Sequence, residues 1–252
     1  MYSAQTSSRL IGRDVLYLPE CGTTNTELQK FVRSGEKRDG LILITDHQWA
    51  GRGQGSRTWT AEPGRNLTFS ILLIDPVAPS DLFYLNVFCA LAVSDAIMEF
   101  CSSAAPVVVK WPNDVWLSGK KTCGILVESV IQGNTVPYAI AGIGINVNQT
   151  HFPVPAATSL KSFSGREWSL PETFNRVVTH LDRRYAQVRN GEWTQLMEVW
   201  MTRLYRRGEC HRFEDAAGAF EGVITGVDGS GRLMVSTDKG MRIFAHQEIR
   251  YI

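Results

Sequence analysis

The sequence predicts an α+β fold: a mixed β-sheet with helices packed on it, followed by a small all-β module. Through residues 1–207 short apolar runs alternate with helical patterns, the order expected of a sheet covered by helices. Beyond Arg206-Arg207-Gly208 the segments shorten and alternate, and Asp228-Gly229-Ser230-Gly231 and Asp238-Lys239-Gly240 are hairpin signals. A length of 252 residues suffices for one large core and a small one. The expected division is 1–207 and 208–252, the second of a kind that closes into a barrel.

The elements follow in order. Thr24-Asn25-Thr26-Glu27 has the spacing of a capping box and opens a helix toward Ser34. Leu41–Thr45 is a short apolar strand, and Asn66–Ile74 is another, with Leu67, Phe69, Ile71 and Leu73 on one face. Ser80 is placed to cap a long helix through Cys101. Pro106–Lys110, Cys123–Val130 and Tyr138–Val147 read as strands, with Leu117–Lys121 as a hairpin turn. Pro153–Ala157 reads as a loop. Helices fit Pro171–Asn190 and Glu192–Arg206, and in the latter Trp193, Leu196, Met197, Trp200 and Leu204 form an apolar stripe that reads as core. In the C-terminal module Val223-Ile224, Leu233–Val235 and Arg242–Phe244 are the expected strands.

Composition excludes several classes. Lys+Arg 26 against Asp+Glu 25 leaves +1, so no global field draws the chain to nucleic acid or an anionic membrane. Met1-Tyr2-Ser3-Ala4-Gln5 does not begin a secretory signal, and the apolar stretch Leu82–Phe100 is interrupted by Asn86, Ser94, Asp95 and Glu99, against a membrane span. Cys21, Cys89, Cys101, Cys123 and Cys210 form no C-x-x-C pair, and the five histidines are dispersed, so neither a disulfide framework nor a protein-built metal site is expected. No serine sits in G-x-S-x-G. A cytoplasmic protein is the expectation.

Two short runs bear chemistry. Gly51-Arg52-Gly53-Gln54-Gly55-Ser56-Arg57 is a glycine-punctuated basic loop able to close over an anion with backbone N–H groups and two guanidiniums. Lys110-Trp111-Pro112-Asn113-Asp114 sets a lysine at the end of the apolar run Val107–Val109, just before a proline turn. Each alone reads as an ordinary turn; together they suit work on a phosphate or a carboxylate.

These runs, with Thr23-Thr24-Asn25, Gln48-Trp49-Ala50, Gly124-Ile125-Leu126-Val127-Glu128 and Gly142-Ile143-Gly144-Ile145-Asn146-Val147, stand in the order of the biotin protein ligases, which the chain resembles over nearly its whole length. The resemblance implies the catalytic domain of biotin and lipoate ligases, similar to class II aminoacyl-tRNA synthetases, followed by an SH3-like barrel. It is to the form without an N-terminal DNA-binding domain, since the motifs begin at Thr23. It implies ATP and biotin as substrates, with Mg2+ brought by the nucleotide. The biotin carboxylate attacks the α-phosphate to give biotinyl-5′-adenylate and pyrophosphate; an acceptor lysine then attacks the acyl carbon and expels AMP.

By that resemblance Lys110 bridges carboxylate and α-phosphate, and Arg52 engages the phosphate end, as the catalytic pair. Thr23, Thr24, Asn25, Gln48, Arg52, Gly53, Gln54, Lys110 and Gly124 line the biotin site; Thr24 or Asn25 can also serve as helix N-caps. Arg52, Trp59, Lys110 and Asn146 bind the nucleotide, with plain core packing open for Trp59 and a turn role open for Asn146. Asp114 orients its neighbours. Gly51–Trp59 is the loop that orders over the ligand and excludes water. Relatives carry further arginines where this chain has Gln54 and Gly55, which makes this loop less cationic. The implied partner is a biotin carboxyl carrier protein or domain, without specific nucleic acid or membrane, for a monomer or homodimer. A lipoate ligase or octanoyltransferase shares the fold, and a non-catalytic interaction protein is the alternative of another class.

Overall fold

The computed structural model describes residues 10–101 and 106–252; the run Met1–Gln5 lies outside them. In order, the elements are β1 (Val15–Cys21), α1 (Thr24–Arg33), β2 (Ile42–Gln48), β3 (Leu67–Ile74), α2 (Phe83–Phe100), β4 (Val107–Lys110), β5 (Asp114–Leu117), β6 (Lys120–Gln132), β7 (Thr135–Ile145), α3 (Leu160–Ser164), α4 (Leu170–Arg189) and α5 (Trp193–Thr202). The C-terminal module adds β8 (Cys210–Asp215), β9 (Gly218–Val227), β10 (Leu233–Thr237), β11 (Gly240–Phe244) and β12 (Arg250–Tyr251).

β1 to β7 form one mixed sheet in the order β1-β2-β3-β7-β6-β5-β4, with β1 parallel to β2 and the other pairs antiparallel. Its two faces differ in what they bury. Phe69, Ile71, Ile143 and Ile145 join the main core with α2, α4 and α5, while Leu43, Leu72 and Ile140 pack against Leu28 of α1. The helical stretch Pro79–Phe100 is long and apolar enough to cross a membrane, but here α2 is the central core helix, with Leu85 and every residue from Val87 to Ser94 buried.

Several local expectations change. Residue 24 opens α1, yet no side chain caps it: Thr23 is the N-cap residue, and the hydroxyl of Thr24 turns toward Gln48 and Ser70 instead. Ser80 lies in a 3-10 turn, Pro79–Asp81, and Leu82 precedes α2 without a side-chain cap. β1, β5, α3, β8 and β12 are elements that periodicity did not mark, and the helix expected over Glu192–Arg206 ends at Thr202. β1 carries Pro19 and is half exposed at a sheet edge. β5 is four residues following a turn whose Trp111–Pro112 bond is cis. The β5–β6 turn has φ 47° at Ser118 and 78° at Gly119, the left-handed pair a tight two-residue hairpin requires.

A partly buried ion cluster ties the helices together. Asp95 on α2 accepts from Arg184 Nε on α4 and lies 2.8 Å from both that nitrogen and Nη1 of Arg203, just past α5. Burial alone pushes the Asp95 carboxyl upward, but the two guanidiniums outweigh it and hold it below the usual range. Asp95→Asn leaves two cations without their counter-charge and is expected to cost about 3 kcal/mol. Because the folded-state pKa is depressed, this stabilisation is full above the unfolded value near pH ~4 and is lost as pH falls through the folded value. Urea melts at pH 7 and pH 3 check both points: the gap between wild type and variant should narrow in acid.

The five C-terminal strands run in the order β11-β10-β9-β8-β12, all antiparallel, and make a small barrel-like module. Phe213, Ile224, Leu233, Val235 and Phe244 fill it. It is docked on the larger sheet by buried Trp111, whose indole N–H donates to the carbonyl of Gly231 at 2.8 Å.

Candidate active site

Small residues carve the site into the sheet. Gly144 pairs with Thr68 on one side and Gly124 on the other, and Gly142 pairs with Ser70 and Leu126. Side chains absent at those crossings leave a trough on the α1 face. A cleft of about 690 Å³, open mouth included, occupies it. The space is strictly held: a methyl group at Gly142 would strike Oδ1 of Asn25, and one at Gly144 would strike the Trp59 indole.

Part of the cleft lining is neutral and hydrogen-bonding. The N-terminus of α1 presents Thr23, Thr24 and Asn25 beside Gln48 from the end of β2. Gln48 Oε1 accepts from the Thr24 backbone N–H at 2.8 Å, filling the capping role that no neighbouring side chain takes. The Ser70 hydroxyl donates to Asn25 Oδ1 at 2.6 Å, and Asn25 Nδ2 donates to Glu128 Oε2 at 2.6 Å. Arg52 Nη2 reaches the same Glu128 oxygen at 2.9 Å. Glu128, the last residue of the Gly124–Glu128 run, thus joins the pocket to the basic loop.

The cleft also has a cationic lining: Arg52, Arg57 and Lys121. The loop is a miniature hairpin: Arg52 bridges Thr58, Gly53 N–H donates to Arg57 carbonyl at 2.8 Å, and Gly55 takes φ 67° in the turn Gln54–Arg57. Trp59 lies across Gly124 and Gly144. Its indole N–H and Gln54 Oε1 are buried at the cleft without a partner among the described residues, an arrangement that a polar ligand would satisfy.

Of the residues expected from sequence, Thr23, Thr24, Asn25, Gln48, Arg52, Gly53, Gln54, Trp59 and Gly124 are brought together here. Lys110 and Asn146 are not. Lys110 stands beside the cleft, with Nζ 4.2 Å from the Trp116 ring centroid and 4.5 Å from that of Tyr251. Burial is the largest cause of its lowered pKa, partly offset by Asp114. Asn146 is buried and donates Nδ2 to the Thr158 carbonyl at 3.0 Å. The lysine that does enter is Lys121, whose Nζ lies 2.7 Å from Asp114 Oδ1. A bulge puts it there: Val115 pairs with Cys123 and Trp116 with Lys121, so Thr122 is an extra residue. Lys121 is thereby re-aimed onto the face of Gly124, within 3.3 Å of where a side chain there would begin.

A glycine-floored cleft with neutral hydrogen-bonding groups, cationic groups and a basic loop suits the catalytic domain of a ligase acting on a small carboxylic acid and a phosphate ester. A sequence model of the Biotin/lipoate A/B protein ligase family matches residues 18–146, and the chain belongs to that family. The chain is 32% identical over 225 residues to the biotin--[acetyl-CoA-carboxylase] ligase of Mycobacterium tuberculosis, covering 88% of this chain and 82% of that one. It is 28% identical over 240 residues to the bifunctional ligase/repressor BirA of Bacillus subtilis, covering 93% and 73%. The biotin protein ligase of Aquifex aeolicus in complex with biotin and ATP superposes with a TM-score of 0.77 at 26% identity, over 95% of this chain and 100% of that one.

Proposed function

We propose that this protein is a biotin protein ligase: it joins biotin to ATP as biotinyl-5′-adenylate and passes the biotinyl group to a lysine of a biotin carboxyl carrier domain. The observation that carries the reading is that one cleft gathers amides and hydroxyls together with three cations. Thr23, Thr24, Asn25 and Gln48 suit a ureido ring, which needs both donors and acceptors. Lys121, Arg52 and Arg57 suit the point where a carboxylate and a phosphate meet.

In the first step a carboxylate oxygen bonds to the α-phosphorus and pyrophosphate leaves. Two anions approach, so fixed cations must stand where charge accumulates. Lys121 takes the bridging role that the sequence assigned to Lys110, because its ammonium enters the cleft and is held by Asp114. Mg2+ enters with the phosphates of ATP as part of the substrate. In the second step the acceptor amine bonds to the acyl carbon, AMP leaves, and the amine's proton is lost to solvent. Between the steps the mixed anhydride needs shelter from water, and the 51–59 loop with Trp59 supplies it. The reading is tested with labelled biotin, ATP and a purified biotin carboxyl carrier domain. Label should become covalently fixed only when ATP is present and the acceptor lysine is intact; ATP-independent labelling, or none, would overturn it.

A further inference from the structure

The Lys110-Trp111 pair, left over from the chemistry, points away from the cleft and into the C-terminal module. Trp111 is bonded to Gly231, and the ammonium of Lys110 rests on Tyr251 as well as on Trp116. With the module fixed this way, the turn after β11 is carried against the basic loop. There is no room even for a methyl group between Gly55 and the side-chain amide of Gln247. The next-door residue, His246, has its protonation disfavoured by burial and then by Arg57, with Asp114 opposing, and its ring lies 6.1 Å from that of Trp111. Both sides of the contact are held in a conformation that most residues avoid: Gly55 has φ 67° and Gln247 has φ 74°. A glutamine in the left-handed region is disfavoured relative to glycine or asparagine, so what keeps glutamine here is sought in its side chain.

We propose that the turn at His246-Gln247 is the outer wall of the nucleotide end of the site, and that Gln247 is a positioning residue whose amide holds Gly55, and with it Arg57, over the phosphates. The proposal rests on the ligase reading for the identity of what is covered, but the contact itself does not. In a loop with glutamine and glycine at positions 54 and 55, a neutral amide from the C-terminal module supplies restraint that the loop's own charges do not.

Gln247→Gly separates this role from a structural one. It relaxes the left-handed backbone, so the melting temperature should hold or rise, while the latch is lost. Gly55→Ala should evict the amide from the other side, and the double variant should fall short of the sum of the two singles, since both break one contact. The first readout is hydrogen exchange of the Gly53–Thr58 amides in the ligand-free full chain, expected to quicken about fivefold or more in either single variant. The second is steady-state kinetics with biotin and ATP: KM for ATP should rise several-fold while KM for biotin stays within about twofold. Unchanged loop exchange in Gln247→Gly would overturn the latch whatever the reaction. Faster exchange in a protein whose wild type makes no biotinyl-adenylate would uphold the latch and refute the ligase reading. Faster exchange with an unaltered KM for ATP would refute the placement over the phosphates.

Discussion

Lys121→Ala is expected to slow biotin-dependent pyrophosphate exchange by about 10²- to 10³-fold, the usual cost of deleting one preorganised electrostatic contact to a transition state. The effect should fall on kcat more than on the KM for biotin, because the two anions are closest only as the new C–O–P linkage forms. Lys121 is only partly buried and, among the described residues, its Nζ pairs with Asp114 alone, so the fold should survive its loss. Lys110→Ala provides the contrast. It empties the contact with Trp116 and Tyr251, and should therefore damage the docking of the C-terminal module rather than abolish adenylation outright. Pyrophosphate exchange measured on both variants, with circular dichroism melts alongside, checks the assignment. Exchange lost in Lys110→Ala and kept in Lys121→Ala would restore the assignment read from sequence.

Arg52→Ala is expected to loosen the hold on the intermediate. Arg52 belongs to the loop and is anchored to β6 through Glu128, which also holds Asn25. A hydrogen bond to a charged partner is worth about 1.5–3 kcal/mol, so removing this guanidinium should speed escape of the adenylate by about 10- to 100-fold. The escaped mixed anhydride acylates any exposed amine. Labelling of a bystander protein mixed with the enzyme, biotin and ATP should rise accordingly, while transfer to the carrier domain falls. A variant that is neither leakier nor poorer in its use of ATP would show that the loop has another purpose.

The residues at the start of α1 and the end of β2 were legible because local chemistry advertises them. A hydroxyl- and amide-rich triplet before a helix, and a glutamine at a strand end, are polar where packing alone would ask for apolar residues. Their mutual bonds were not legible: that Gln48, 24 residues from Thr24, fills the capping place of α1 depends on the sheet bringing β2 beside it. Lys121 was hidden by arithmetic. Strict alternation sets residues 121 and 124 on opposite faces, and only the extra residue at Thr122 reunites them. Lys110 misled for a related reason. It ends an apolar strand in a distinctive motif, but the side of the strand on which the C-terminal module settles is a long-range fact, carried by Tyr251 near the chain's end. The glycines of the floor were visible as motif letters, and their meaning emerged only from the register that stacks Gly124, Gly144 and Thr68 across three strands.

The central claim is tested most directly by isotope exchange between pyrophosphate and ATP in the wild-type chain, with biotin, lipoate or octanoate as the sole added acid. Exchange reports reversible adenylate formation without any acceptor protein, so it isolates the chemistry of the cleft. Exchange driven by biotin at micromolar concentration and absent with the other two acids is the result this account predicts. Exchange driven by lipoate or octanoate in place of biotin, or by none of the three, would contradict it.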